Sequence, residues 1–169
     1  MRNTLYLLAF LIGTIQLSIA QGQLQAGING GIPTSETGVS TNFALAMDLV
    51  FLTEITGRFD AGISTGYIIA FGEELPPGSI NIELFDITFI PFAASGRFEL
   101  ASNFRVGADL GYAIGTNRFG RSGLYIAPQA SYSFTENIAI ITAYRVVTQN
   151  DSVGAFHMVS AGVLFGFNI

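Results

Sequence analysis

From Ala155 to Ile169 the chain alternates residue by residue, and this period constrains the fold more than any other feature. Val159, Ala161, Val163, Phe165, Phe167 and Ile169 fall on one face; Ser160, Gly162, Leu164, Gly166 and Asn168 fall on the other. A repeat of two predicts a strand with one apolar face, because successive side chains of extended backbone point to opposite sides.

Seven earlier segments read the same way. Gln23–Ile32 sets Leu24, Ala26, Ile28 and Ile32 against Gln23, Gln25 and Asn29, and Asn42–Leu52 sets Phe43, Leu45, Met47, Leu49 and Phe51 against Ala44, Ala46 and Asp48. A turn near Thr53–Thr56 precedes Gly57–Phe71, which opposes Phe59, Ile63, Tyr67 and Phe71 to Arg58, Asp60 and Gly62. Phe104–Gly115 is the most regular, with Phe104, Val106, Leu110 and Tyr112 against Arg105, Gly107 and Asp109. Gly123–Phe134 and Ile138–Thr148 follow, the latter with Arg145 on its less apolar face. The fourth segment, Ile82–Phe98, changes phase: Phe85, Ile87 and Phe89 share one face, Phe92, Ala94 and Phe98 the other. Pro91 lies at the change and cannot donate to a sheet ladder, so a β-bulge is predicted at Ile90–Pro91.

Half the residues are hydrophobic, 11% are charged and lysine is absent. A soluble domain carries about 25% charged residues on average, so this chain lacks the means to coat itself in water. Beyond the first residues it has no continuous apolar run suited to a membrane helix, which needs about 20 residues. A chain greasy on average but never continuously so points to an all-β architecture: an eight-stranded, antiparallel, up-and-down transmembrane β-barrel. The connections alternate between long and short, as such barrels require, and a 12-residue strand tilted by about 45° rises roughly 28 Å, enough for the hydrocarbon layer. Phe51, Phe59, Phe104, Phe134 and Phe167 near the short turns, and Phe43, Tyr67 and Phe71 at the other ends, suit two interfacial girdles.

The start of the chain has its own signature. Arg2, the apolar run Leu5–Ile12 and the small residues Ser18 and Ala20 predict a secretory signal peptide over 1–20, leaving a single barrel domain over 21–169. No cysteine is present, so stability is left to hydrogen bonding and burial, and a net charge of −5 argues against a nucleic-acid partner.

The glycine-spaced stretches Phe104-Arg-Val-Gly-Ala-Asp-Leu-Gly-Tyr112, Tyr144-Arg-Val146 and His157-Met-Val-Ser-Ala-Gly-Val-Leu-Phe-Gly-Phe167 resemble the small outer-membrane β-barrel family, related in architecture to the OmpA transmembrane domain and the wider porin-like barrels. The resemblance covers 21–169. It implies a multi-pass protein of the Gram-negative cell outer membrane, in contact with lipid and lipopolysaccharide. Phe165, Phe167 and Ile169 are similar to the carboxyl-terminal signal read by the barrel-assembly machinery, which usually ends on an aromatic where this chain ends on Ile169.

Asp48, Arg58, Asp60, Arg97, Arg105, Asp109 and Arg145 are predicted to face inward, where family analogy implies a structural ion-pair network filling the lumen. A one-residue slip would turn each strand's charges towards lipid, so they fix register. The expected role is structural or surface-interacting. The alternative is a narrow ion or small-solute channel along the arginines, although eight strands leave a lumen only wide enough for side chains. A soluble lipocalin-like binder would have to present to water a face made largely of Gly, Ala and Ser. A lipid-modifying enzyme would resemble the lipid A deacylases, which place His and Ser two apart on one face; here His157 and Ser160 are three apart and on opposite faces. Metal-ligand spacing, a phosphate-cradling glycine loop and a nucleophile elbow are lacking in the sequence, so neither enzyme activity nor a cofactor is expected. The loops Pro33–Ser40, Gly72–Ser79, Thr116–Ser122 and Gln149–Gly154 would carry any surface ligand, with Arg118 and Arg121 available to anionic lipopolysaccharide.

Overall fold

The structure, a computed structural model, describes residues 22–34, 41–72, 86–117, 120–149 and 154–168. The segment 1–20 expected to be an export signal, Ile82–Phe85, Ile169 and most of the long loops lie outside the described residues. Eight strands form in chain order: β1 Gly22–Pro33, β2 Thr41–Thr56, β3 Phe59–Gly72, β4 Ile87–Ala101, β5 Phe104–Gly115, β6 Gly123–Ser133, β7 Ile138–Gln149 and β8 Ala155–Asn168. Each pairs antiparallel with the next, and β8 returns to β1 from Gln23–Asn168 to Pro33–Met158, closing the barrel. Closure leaves no unpaired sheet edge, the condition for placing strands in a medium that cannot hydrogen-bond to them.

The period-two pattern becomes an inside-out distribution. Ile63, Leu110 and Phe165 are 67%, 57% and 42% exposed, whereas Arg97, Asp109 and Arg145 are 6%, 6% and 2% exposed. The apolar belt runs right round the wall, from Ile28 and Met47 through Phe92, Leu124 and Ile140 to Val159. An exposed apolar surface this continuous marks a membrane or a large partner rather than water. Aromatics border it at both ends: Tyr132 and Phe134 meet edge-on at 5.3 Å on the short-turn side, and Phe43 and Phe71 stack at 6.1 Å on the other.

Two expectations are corrected. The strand β4 has no bulge at Pro91: its pairing with β5 runs in one register from Phe89–Gly115 to Glu99–Arg105, and its pairing with β3 keeps one register across the gap between Thr65–Phe92 and Ile68–Phe89. Thr65 Oγ1 donates to the Pro91 carbonyl at 2.9 Å beside that gap. The sequence changed phase because the lining of the barrel changes, not because the backbone slips. Ile87 and Phe89 point inward and join Ile68, Val147, Phe156 and Met158 in an apolar plug at the long-loop end. Phe89 and Phe156 lie 5.2 Å apart within it, and Ala44, Ala46, Ala70, Ala113 and Ala127 give them room. The observed register shifts lie at strand ends, at Thr41/Phe43, Glu54/Thr56 and Glu99/Ala101.

The second correction concerns Arg58. β2 continues to Thr56, so the chain reverses at Gly57–Arg58 rather than at Thr53–Thr56, and Arg58 sits exposed in that turn. Its carbonyl accepts the Glu99 N–H at 2.8 Å, which ties the turn to the end of β4.

Close approach between strands leaves no room for a side chain at Gly162, among other glycines. A Cβ at Gly162 would collide with the Ile28 carbonyl oxygen and lie 2.6 Å from Asn29 Cα, both on the backbone of β1. Overpacking of this kind destabilises by about 1–3 kcal/mol. Gly162→Ala is therefore expected to lower the urea midpoint of the vesicle-inserted barrel, and an unchanged midpoint would contradict the close β1–β8 contact.

Candidate functional site

Alternation delivers polar side chains to a lumen from which water is largely excluded, so each must find a partner inside. They do so in three tiers. The central tier is built on Arg145 of β7, which reaches across the lumen to Asp48 of β2. Arg145 Nη1 and Nη2 donate to the two carboxylate oxygens at 2.9 and 2.6 Å. Its Nη1 also donates to Tyr125 Oη at 3.0 Å, and its Nε to Ser160 Oγ at 3.2 Å. Asn29 Nδ2 completes the carboxylate's shell at 2.6 Å, and Ser160 Oγ donates to the Ala143 carbonyl at 3.2 Å. The tier thus joins β1, β2, β6, β7 and β8. A two-pronged charge-assisted pair of this kind is both strong and directional.

Beside it, Arg97 Nη2 and Asp109 Oδ1 lie 2.8 Å apart on adjacent strands, both buried. Ser95 Oγ donates to the same oxygen at 2.8 Å and Gln129 Nε2 to the other at 3.2 Å. Arg97 Nη1 donates to the Gly96 and Ala108 carbonyls at 2.9 and 3.3 Å. At the short-turn mouth, Arg105 lies 3.5 Å from Asp60 and 3.8 Å from Glu99, and donates to Gln23 Oε1 at 3.5 Å. This third set is looser and half-buried, so solvent screening leaves it little net worth.

A cavity of about 560 Å³ opens at that mouth, lined in part by Gln23, Gln25, Asn103, Arg105, Ser131 and Ser133, with Leu164 on its inner wall. Above it the lumen is sealed: Leu52, Asn29, Ser160, Tyr125, Phe89, Phe156 and Met158 are all less than 2% exposed. Among the described residues no group of His, Cys, Asp and Glu is arranged to hold a metal ion.

Six of the seven expected luminal charges are brought together in these tiers; Arg58 is not. Their partners Tyr125, Ser95, Gln129, Ser160 and Asn29 went unassigned because an uncharged side chain on the inner face shows no pairing until the strands close, and Glu99 because the fourth segment was read as ending at Phe98, whereas β4 runs to Ala101. Phe165 and Phe167 point outward, 42% and 54% exposed. His157 is on the outer wall and Ser160 is buried in the lumen, so the two do not share a face. His157 instead meets Tyr144, whose hydroxyl lies 2.8 Å from its Nδ1.

No protein-family model matches the chain, and no curated protein matches it in sequence. Solved structures do match in shape. Ail, the attachment invasion locus protein of Yersinia pestis, is similar at a TM-score of 0.58 and 11% identity, over 87% of this chain and 98% of that one. The amino-terminal barrel domain of Pseudomonas aeruginosa OprF follows at 0.54 and 15% identity, covering 87% and 97%. Neisserial surface protein A follows at 0.51 and 18%, covering 86% and 97%. A designed transmembrane β-barrel is similar at 0.54 and 11% identity, over 86% and 95%. The likeness at such identities is one of fold: this chain has the fold of the small outer-membrane β-barrels.

Proposed function

We propose that the chain is an integral protein of the cell outer membrane, crossing the bilayer with all eight strands and filling its lumen with its own side chains. The role is structural or surface-interacting and not catalytic. The observation that carries this reading is the pairing of a continuous exposed apolar belt with a buried ionic brace. A soluble barrel would bury the first and hydrate the second. Residues 1–20 act as the export signal, and Phe165, Phe167 and Ile169 present the outward strand that the barrel-assembly machinery reads. The luminal charges of the three tiers hold register. Lipopolysaccharide and lipid are the immediate partners, with Arg118 and Arg121 on the β5–β6 loop able to meet anionic headgroups.

One observation favours a second reading. The cavity at the short-turn mouth carries Arg105, which would suit the vestibule of a narrow channel. Planar-bilayer recording separates the two. The purified barrel is expected to show no sustained conductance, and Arg105→Ala to leave the traces unchanged. A steady conductance in the natural protein that disappears in Arg105→Ala would establish the channel instead.

A further inference from the structure

A second site lies on the outer wall. Pro128 of β6 has no N–H for the ladder, and the β6–β7 pairing is interrupted there: it runs from Gly123–Gln149 to Ile126–Val146 and resumes at Gln129–Ala143 without a change of register. The outward side chains at and below the gap are small or thin: Pro128, Ala130 and Thr142. Tyr144 and Val159 form the far side, leaving a shallow groove of about 350 Å³ among bulkier neighbours. Its long-loop end is capped by a polar pair. Val159 is paired with Tyr144, and His157 stands two residues further up the same outward face of β8. Tyr144 Oη is 2.8 Å from His157 Nδ1, the rings lie 5.8 Å apart, and the His157 carbonyl accepts the Thr34 N–H at 2.9 Å. This contact uses one donor and leaves one at the cap for an acceptor on the outer wall: His157 Nε2–H where the hydroxyl donates to Nδ1, the Tyr144 O–H where Nδ1–H donates to the hydroxyl.

We infer that this groove and its cap bind one lipid molecule: an acyl chain lies along Pro128, Ala130 and Val159, and an oxygen of its phosphate accepts from His157 Nε2. The inference rests on the proposed function, since it takes the outward face to meet lipid. Two independent features point to an amphiphile. The groove is largely apolar where hydrocarbon would run, the Thr142 hydroxyl being turned to the Ser160 carbonyl at 3.2 Å, and it offers a hydrogen-bonding pair at the end facing the long loops, where a headgroup would lie. An aliphatic side chain would fill the position of His157 as well as it fills Val159, and would leave no donor there.

The test is native mass spectrometry of the folded barrel released from micelles doped with phosphatidic acid or with diacylglycerol of the same chains. The natural protein is expected to retain one phosphatidic acid and to discriminate against diacylglycerol. His157→Leu is expected to lower phosphatidic acid retention by about tenfold, the loss of one charge-assisted hydrogen bond, and to abolish discrimination. Ala130→Leu, which fills the groove, is expected to abolish retention of both. Heat-modifiable gel migration, read on every sample, reports whether the barrel is folded. Folded barrels that retain both lipids equally, or whose retention ignores both substitutions, overturn the site and leave the proposed function standing. A dimer mass removed by Ala130→Leu, without bound lipid, overturns it in favour of a contact between copies. Failure of the natural protein to enter micelles as a heat-modifiable barrel would strike the proposed function itself.

Discussion

Replacing Arg145 with methionine is expected to lower the stability of the folded barrel by about 3–5 kcal/mol, because it leaves the Asp48 carboxylate buried without its counter-charge. The two are held by paired hydrogen bonds at 2.9 and 2.6 Å, with side chains only 3% and 12% exposed. Tyr125 Oη and Ser160 Oγ lose a donor in the same substitution. Urea titration of barrels inserted in lipid vesicles, followed by gel migration, measures the change. The double variant Asp48→Leu/Arg145→Met is expected to recover most of the loss, since an apolar pair of similar volume replaces a brace whose desolvation penalty is large. That recovery distinguishes a brace needed as a pair from one needed for its charges. If Arg145→Met unfolds at the same urea concentration as the natural protein, the central tier does not stabilise the barrel.

Leu110→Arg is expected to have the next largest effect, and its size should depend on depth. Leu110 lies mid-way along β5, pointing outward and 57% exposed. An arginine facing lipid at the midplane costs about 2–4 kcal/mol, falling to about 0–1 kcal/mol at the interface. Phe104→Arg, on the same outward face but at the short-turn end of β5, is therefore expected to be nearly neutral. The gradient separates the membrane reading from a soluble one. On a water-exposed wall both arginines would be harmless, and Leu110→Arg would improve solubility. Equal stability of the two variants in vesicles would refute the outward apolar face as a lipid-facing surface.

Much of this architecture was legible from one physical rule, that extended backbone sends alternate side chains to opposite faces. It placed the core of every strand and assigned Ile28, Met47, Ile63, Leu110 and Phe165 to the outer wall. It also placed Asp48, Asp60, Arg97, Arg105, Asp109 and Arg145 on the inner one. The rule failed where it was joined to an assumption that the inner face is always polar. Ile87 and Phe89 looked out of phase at Pro91, and a bulge was the local way to restore them. In the barrel they need no restoring, because Phe156 and Met158 arrive from β8 to form an apolar plug at the same height. Nothing within β4 alone reports that neighbour. Arg58 was assigned to the lumen wrongly for a related reason: strand ends are set by where β2 and β3 meet, and side-chain pattern is weakest at a two-residue turn.

Sequence by itself thus determined the class of fold, the strand count, the direction most side chains face and the oily exterior, because these depend only on a local period and on composition. Tertiary structure alone decided which charges meet. Arg145 could have paired with any luminal carboxylate; closure of β8 on β1 brings β7 within reach of Asp48, almost a hundred residues earlier in the chain, and leaves Arg97 to Asp109. The groove at Pro128 and its Tyr144–His157 cap likewise exist only once three strands lie side by side. Facing is a property of one strand, and pairing across a lumen is a property of the closed ring.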